Sequence, residues 1–87
     1  MPVNALVISP RDNVAVALAP LKLGETVVGL GRDLVARADI PKNHKVAIVP
    51  IPTGQPVIKY GEPIGLAKAD IAAGDWVHTH NLKGEGE

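Results

Sequence analysis

The sequence predicts a mainly β domain, and three observations carry that prediction. Fifteen or more of the 87 residues are β-branched aliphatics, and Phe is absent; such side chains favour strands. Eight prolines and nine glycines lie scattered along the whole chain, which leaves little room for an uninterrupted helix. A local pattern also recurs four times: an apolar residue, two spacers, a turn residue, two spacers, then valine. The copies run from Leu21 to Val27 about Gly24, Ile40 to Val46 about Asn43, Ile51 to Val57 about Gly54, and Ile71 to Val77 about Gly74. Gly, and less readily Asn, adopts the positive φ of tight turns. The pattern therefore predicts one turn-plus-strand device used four times, spaced too unevenly for a solenoid.

The elements follow in order. Residues 5–8 and 14–18 flank the turn signal Asp12-Asn13 and predict an opening hairpin. Further short strands are expected at 27–30, 45–49, 57–60 and 76–81. Residues 32–38 fit either a strand or a short helical turn, and residues 67–73 leave space for one helical turn before Gly74. Pro41 and Pro52 follow the first apolar residue in two copies of the repeat, where a fixed φ suits a turn. Lys83-Gly84-Glu85-Gly86-Glu87 is polar and Gly-rich. The reading is one domain over residues 1–82 with a flexible tail at 83–87.

Composition narrows the function. Lys+Arg and Asp+Glu are both 9, and the aromatic set is one Trp and one Tyr. That balance lacks the basic field and stacking platforms of nucleic-acid binders. No apolar run approaches the roughly 20 residues of a membrane helix. Without cysteine there are no disulfides, thiolate nucleophiles or thiolate metal sites. Ser9 is the only serine and precedes Pro10, a poor setting for an activated nucleophile. A cytoplasmic protein is expected, without nucleic-acid or membrane partners.

Chemistry then falls to a few residues. In Val77-His78-Thr79-His80-Asn81 the two histidines are two apart; on a strand they share a face at roughly 6.5–7 Å. Paired imidazoles can hold a divalent metal or divide acid and base work. A tight metal site needs a third ligand, from His44, a carboxylate or another chain. A solvent-facing strand carrying two idle histidines is the competing reading. Val57-Ile58-Lys59-Tyr60-Gly61 is the second candidate. Lys59 can bind a carboxylate or act as a base, and Tyr60 can donate to a hydroxyl. A hairpin rim with a snorkelling lysine explains the same residues. Trp76 reads as a packing or interface anchor.

Asp12-Asn13-Val14-Ala15-Val16-Ala17, Val57-Ile58-Lys59-Tyr60-Gly61 and Val77-His78-Thr79-His80-Asn81, in that order, together resemble one family. The chain resembles the SAF-type domain of the altronate/galactarate dehydratases and is similar to the small subunit of the sulfolactate sulfo-lyases. Ile40-Pro41-Lys42-Asn43-His44-Lys45, Pro63-Ile64-Gly65 and Ala69-Asp70-Ile71-Ala72-Ala73-Gly74 add to the likeness, with Asn43 in place of an expected glycine. The resemblance implies a β-clip fold of short bent hairpins. It also implies a lyase that eliminates water, or sulfite, from 2-hydroxy acids such as altronate or galactarate to give 2-keto products. By the same likeness the chain is a small subunit or excised domain, inactive alone. It would be completed by a large catalytic subunit or C-terminal dehydratase domain and a divalent metal, iron or else manganese or magnesium. The expected roles are catalysis for His78, His80, Lys59 and Tyr60, and substrate contact for Asn81, Gly61, Asp12 and Asn13. His78, His80 and His44 are the expected metal ligands. The alternative is a non-catalytic binding module, since SAF-type domains also resemble antifreeze proteins and pilus or flagellar chaperone domains.

Overall fold

A computed structural model describes residues 2–84. Seven short strands build two antiparallel sheets: β1 Ala5–Leu6, β2 Val14–Ala17, β3 Lys45–Ala47, β4 Pro56–Lys59, β5 Glu62–Ala67, β6 Trp76–Val77 and β7 Leu82–Lys83. The first sheet has the order β1-β2-β3-β6 and the second β4-β5-β7. No helix, and none of the helical turns allowed for at 32–38 and 67–73, forms among the described residues. No helix among them is long and apolar enough to cross a membrane. The fold is mainly β, consistent with a SAF β-clip.

The four-fold repeat is the frame of this fold. Gly24, Asn43, Gly54 and Gly74 all sit at positive φ, between 71° and 96°. In every copy the residue after the turn residue donates its N–H to the carbonyl three residues back: Glu25 to Lys22, His44 to Pro41, Gln55 to Pro52 and Asp75 to Ala72. A positive φ at the third position of such a turn is the type II pattern. The turn residue itself donates outward to an alanine carbonyl, at Ala36, Ala17, Ala67 and Ala47 respectively. The copies then associate in twos. Leu21 and Ile40 exchange both backbone hydrogen bonds, and so do Ile51 and Ile71. Asp39 caps the first pair by accepting from Leu23 N, and Asp70 caps the second by accepting from Thr53 N. The eight flanking apolar residues are no more than 2% exposed. They divide into two small cores, one around Leu21, Ile40 and Val46 and one around Ile51, Val57, Ile71 and Val77. Pairs of turns, each packing branched aliphatics, explain how a chain without Phe closes a core.

Several elements differ from expectation for identifiable reasons. Residues 27–30 form no strand. The backbone there is held by Asn4, whose side-chain Oδ1 accepts from Val28 N while Asn4 N donates to Val28 O, and Gly29 turns away at φ 123°. The strand expected over 76–81 stops at Val77, because the His78 carbonyl accepts from both Asn81 N and Leu82 N and bends the chain into a turn. β5 is the longest strand and was hidden by Pro63 and Gly65. Its ladder with β4 shifts register between Val57 and Ile58, a bulge that accommodates such residues. Lys83, read as the first tail residue, ends β7 instead and pairs opposite Leu66. The rest of the expected tail at 85–87 lies outside the described residues.

The β4–β5 hairpin turns through two residues, Tyr60 at φ 57° and Gly61 at φ 76°. Two positive φ values in a two-residue loop are the type I′ arrangement, which suits the twist of paired strands. Asp12 holds this tip in place. Its buried carboxylate accepts from Gly61 N at 2.8 Å and Ser9 N at 3.0 Å. Beside it, Asn13 Oδ1 accepts from Ile58 N and its amide donates to Pro56 O. Burial alone would raise the Asp12 pKa, but hydrogen bonds from Gly61, Ser9, Tyr60 and Ile8 together hold it below its ordinary value. A depressed carboxylate contributes stability above its unfolded pKa, near 3.9, and loses that contribution as pH falls through the folded value. Asp12→Asn is therefore expected to cost about 2 kcal/mol at pH 7. It should also flatten the loss of stability below about pH 4, read by urea denaturation across pH. An unchanged acid limb would remove Asp12 as its source.

Candidate functional site

The site begins at the end of the β3–β6 ladder. Lys45 pairs with Val77 and Val46 with Trp76, so His44 and His78 stand opposite each other one step beyond the last pair. Their rings lie 4.7 Å apart between centroids. Trp76 organises the group. Its indole stacks on His78 at 5.3 Å with planes 8° apart, lies 5.2 Å from His80, and donates Nε1–H to His44 Nδ1 at 3.2 Å. The anchor role expected for Trp76 is thus exercised within the site. All three histidines of the chain meet around this one indole.

The turn after Val77 decides where the imidazoles point. Asn81 is buried, its Oδ1 accepts from His78 N and its Nδ2 donates to Trp76 O. The shared strand face expected for His78 and His80 is replaced by this side-chain-locked turn. Both rings reach Trp76 nevertheless, His78 from a half-buried position and His80 from an exposed one. Lys68 Nζ donates to the Thr79 carbonyl and braces the turn from outside. Asn81, Asp12 and Asn13 thus all direct their polar groups to backbone within the fold.

Lys59 and Tyr60 stand at the tip of the hairpin in the second sheet. Lys59 Nζ lies 4.9 Å from the centroid of the Tyr60 ring, and Tyr60 is exposed at the hairpin tip. A residue missed from the sequence, Lys45, stands opposite Val77 and next to His44 at the end of the same ladder. Its pKa is lowered, first by desolvation and then by the charge of Lys59. The His78 pKa is lowered in turn by desolvation, then by His44, Lys45 and His80. His78 is accordingly held neutral near pH 7, competent to accept a proton. The signal for Lys45 is its register opposite Val77, which no single-strand pattern reveals.

Among the described residues no group of three His, Asp or Glu side chains converges with metal-binding spacing. The carboxylates lining the cleft beside Trp76 and His80 belong to Asp70 and Asp75, and both are engaged. Asp70 accepts from Thr53, while Asp75 accepts from Ala72 N and pairs with Arg37 at 3.2 Å. His44 accepts the Trp76 hydrogen bond on Nδ1, so its neutral ring carries the proton on Nε2 and presents a donor there. A site made wholly from His44, His78 and His80 therefore does not fit.

The profile of the altronate/galactarate dehydratase SAF domain matches residues 3–85. The chain belongs to that family. It is 51% identical over 72 residues to the altronate dehydratase of Escherichia coli strain K12, covering 83% of this chain and 14% of that protein. With the altronate dehydratase of Bacillus subtilis strain 168 it shares 38% identity over 76 residues, 87% of this chain and 15% of that one. It is also 52% identical over 50 residues to the (2R)-sulfolactate sulfo-lyase subunit alpha of Paracoccus pantotrophus, covering 58% of this chain and 75% of that subunit. The SAF domain thus spans about one seventh of the altronate dehydratases it matches, yet most of a separate subunit in the sulfo-lyase.

One position in this SAF domain carries visible strain. Tyr60 holds a left-handed backbone that costs a non-glycine residue roughly 1 kcal/mol. Asn-Gly is the preferred pair for this turn. Tyr60→Asn is expected to stabilise the domain by about 0.5–1 kcal/mol, read by urea denaturation; an unchanged or lowered stability would contradict the strain assigned to Tyr60.

Proposed function

We propose that this SAF domain supplies part of the active site of a lyase that dehydrates sugar acids of the altronate or galactarate type to 2-keto-3-deoxy acids. The observation that carries the reading is the convergence of His44, His78 and His80 on Trp76, at the end of the ladder that carries Lys45. Loss of a proton beside a carboxylate builds negative charge that must be neutralised, and loss of hydroxide needs an acid. His78, held neutral, is suited to take a proton; His44, whose Nδ1 is taken by Trp76 and whose Nε2–H remains a donor, is suited to hydrogen-bond the departing hydroxyl, while the acid that protonates it comes from the partner. Lys59 and Tyr60 bind the acid's carboxylate and hydroxyls. A divalent metal, iron or else manganese or magnesium, would supply Lewis-acid stabilisation of the enolate, held by His78, His80 and ligands of the partner.

The partner is a large catalytic domain or subunit. The share of the altronate dehydratases that the chain leaves uncovered, and the sulfo-lyase relative's being called a subunit, support this division. The test is to purify the domain alone and with the large dehydratase polypeptide, each with iron, and to measure keto-acid formation from altronate and galactarate. Turnover is expected only in the complex. Enzyme-like rates from the domain alone, or a complex whose rate is indifferent to the domain, would refute the shared site.

A further inference from the structure

The two pairs of turn copies match each other beyond the turns. Gly24 N donates to Ala36 O and Ala36 N to Glu25 O; in the second pair Gly54 N donates to Ala67 O and Ala67 N to Gln55 O. The match extends to an asparagine that fastens the segment following the first turn of each pair. Asn4 Oδ1 accepts from Val28 N, its amide donates to Thr26 O, and Asn4 N donates to Val28 O. Asn13 repeats all three bonds in the second pair, with Ile58 N, Pro56 O and Ile58 O. In the first half an asparagine alone fastens the segment.

The residue before each asparagine breaks the match. Val3 precedes Asn4, is exposed, and has no side-chain acceptor. Asp12 precedes Asn13, is only 7% exposed, and divides its carboxylate between two amides, Oδ1 to Gly61 N at 2.8 Å and Oδ2 to Ser9 N at 3.0 Å. This added hold falls on the hairpin tip that carries Lys59 and Tyr60. The corresponding stretch of the first half, Gly29-Leu30-Gly31, bears no polar side chain. A clamp that served the frame alone would be complete with Asn13.

We infer that Asp12 is a positioning residue for the Lys59-Tyr60-Gly61 tip, tying it to the turn at Ser9 and acting on the substrate only through it. What the tip binds, the carboxylate and hydroxyls of a sugar acid, rests on the proposed lyase reading; the hold on the tip is the chain's own geometry. A carboxylate is needed because two N–H donors face its two oxygens. An amide offers one acceptor and turns its NH₂ on the other donor.

The experiment compares Asp12→Asn with Asn4→Ala, which loosens the matching segment where no substrate group stands. Each variant is assembled with the large dehydratase polypeptide and assayed on altronate, at a temperature where its unfolding curve shows it folded. Asp12→Asn is expected to raise KM about five- to tenfold with kcat within about twofold. Asn4→Ala should lose stability and keep KM within about twofold. An unchanged KM in Asp12→Asn, or an equal rise in Asn4→Ala, overturns the inference. Amide hydrogen exchange on the natural chain needs no variant: the Gly61 amide should exchange at least about tenfold more slowly than that of Gly31, and equal rates would also overturn it. A natural complex without turnover defeats the lyase reading instead. The exchange comparison, made on the free chain, still decides whether Asp12 holds the tip.

Discussion

Removing the imidazole of His78 from the assembled enzyme is expected to lower turnover by about 10²–10⁴-fold, the usual contribution of a positioned proton-transfer group. His78→Ala leaves the turn that carries the ring in place, because that turn is built from the His78 N–H and carbonyl with the Asn81 side chain. The ring's own packing is a stack on Trp76 at half-exposed depth, so stability should fall by only about 1 kcal/mol. His80 is exposed and meets only the edge of the same cluster. His80→Ala should therefore reduce turnover without a measurable stability change, and metal content of the complex should fall with either substitution. Rates, bound iron and urea denaturation measured together decide the matter. Full turnover and full metal in both variants would leave the histidines a docking or packing role only.

The second large effect concerns the fold. Gly74→Ala is expected to prevent stable folding, with a cost above about 4 kcal/mol. A Cβ at Gly74 would run into the Val35 carbonyl oxygen and press on Arg37 Cγ at 3.1 Å, on a backbone already at φ 96°. Gly24 and Gly54 occupy the equivalent slot of the repeat with nothing within 4 Å of the added atom. There the same substitution meets only the conformational cost of about 1 kcal/mol. Asn43 shows that the slot itself tolerates a side chain. Three alanine variants compared by thermal unfolding test this directly, and equal losses at 24, 54 and 74 would contradict the steric account. Because Gly74 lies two residues before Trp76, a folded but distorted Gly74→Ala protein would also show an altered Trp76 fluorescence.

The repeat was legible because its signal is chemical and local. A residue able to hold positive φ, set between an apolar residue and a valine, marks each turn without knowledge of what it packs against. β5 was not legible as a strand, since Pro63 and Gly65 speak against one and only the bulge opposite Val57 reconciles them with the ladder. The histidine pair was found from its spacing, but the strand geometry assumed for it was not the one adopted. Asn81, rather than alternation along a strand, aims those rings. Trp76 and Lys45 gain their importance from cross-strand register, which links residues thirty positions apart and leaves no trace in either segment alone. The family likeness then added to what spacing and residue chemistry had already suggested for His78 and Lys59.

The pairing of turn copies has a kinetic consequence. Leu21 with Ile40, and Ile51 with Ile71, each join residues about twenty positions apart, so each closure is short and its entropy cost modest. The chain therefore holds two places where ordering can begin, each with its own cluster of branched aliphatics. The β3–β6 ladder, which unites the two halves, brings together Lys45 and Val77 across a longer stretch of chain and so belongs to the later part of folding. The imidazole cluster sits on that ladder. Its assembly is thus tied to the joining of the two halves, and a chain that has closed both without joining them would be compact, nearly native in its turns, and chemically blank.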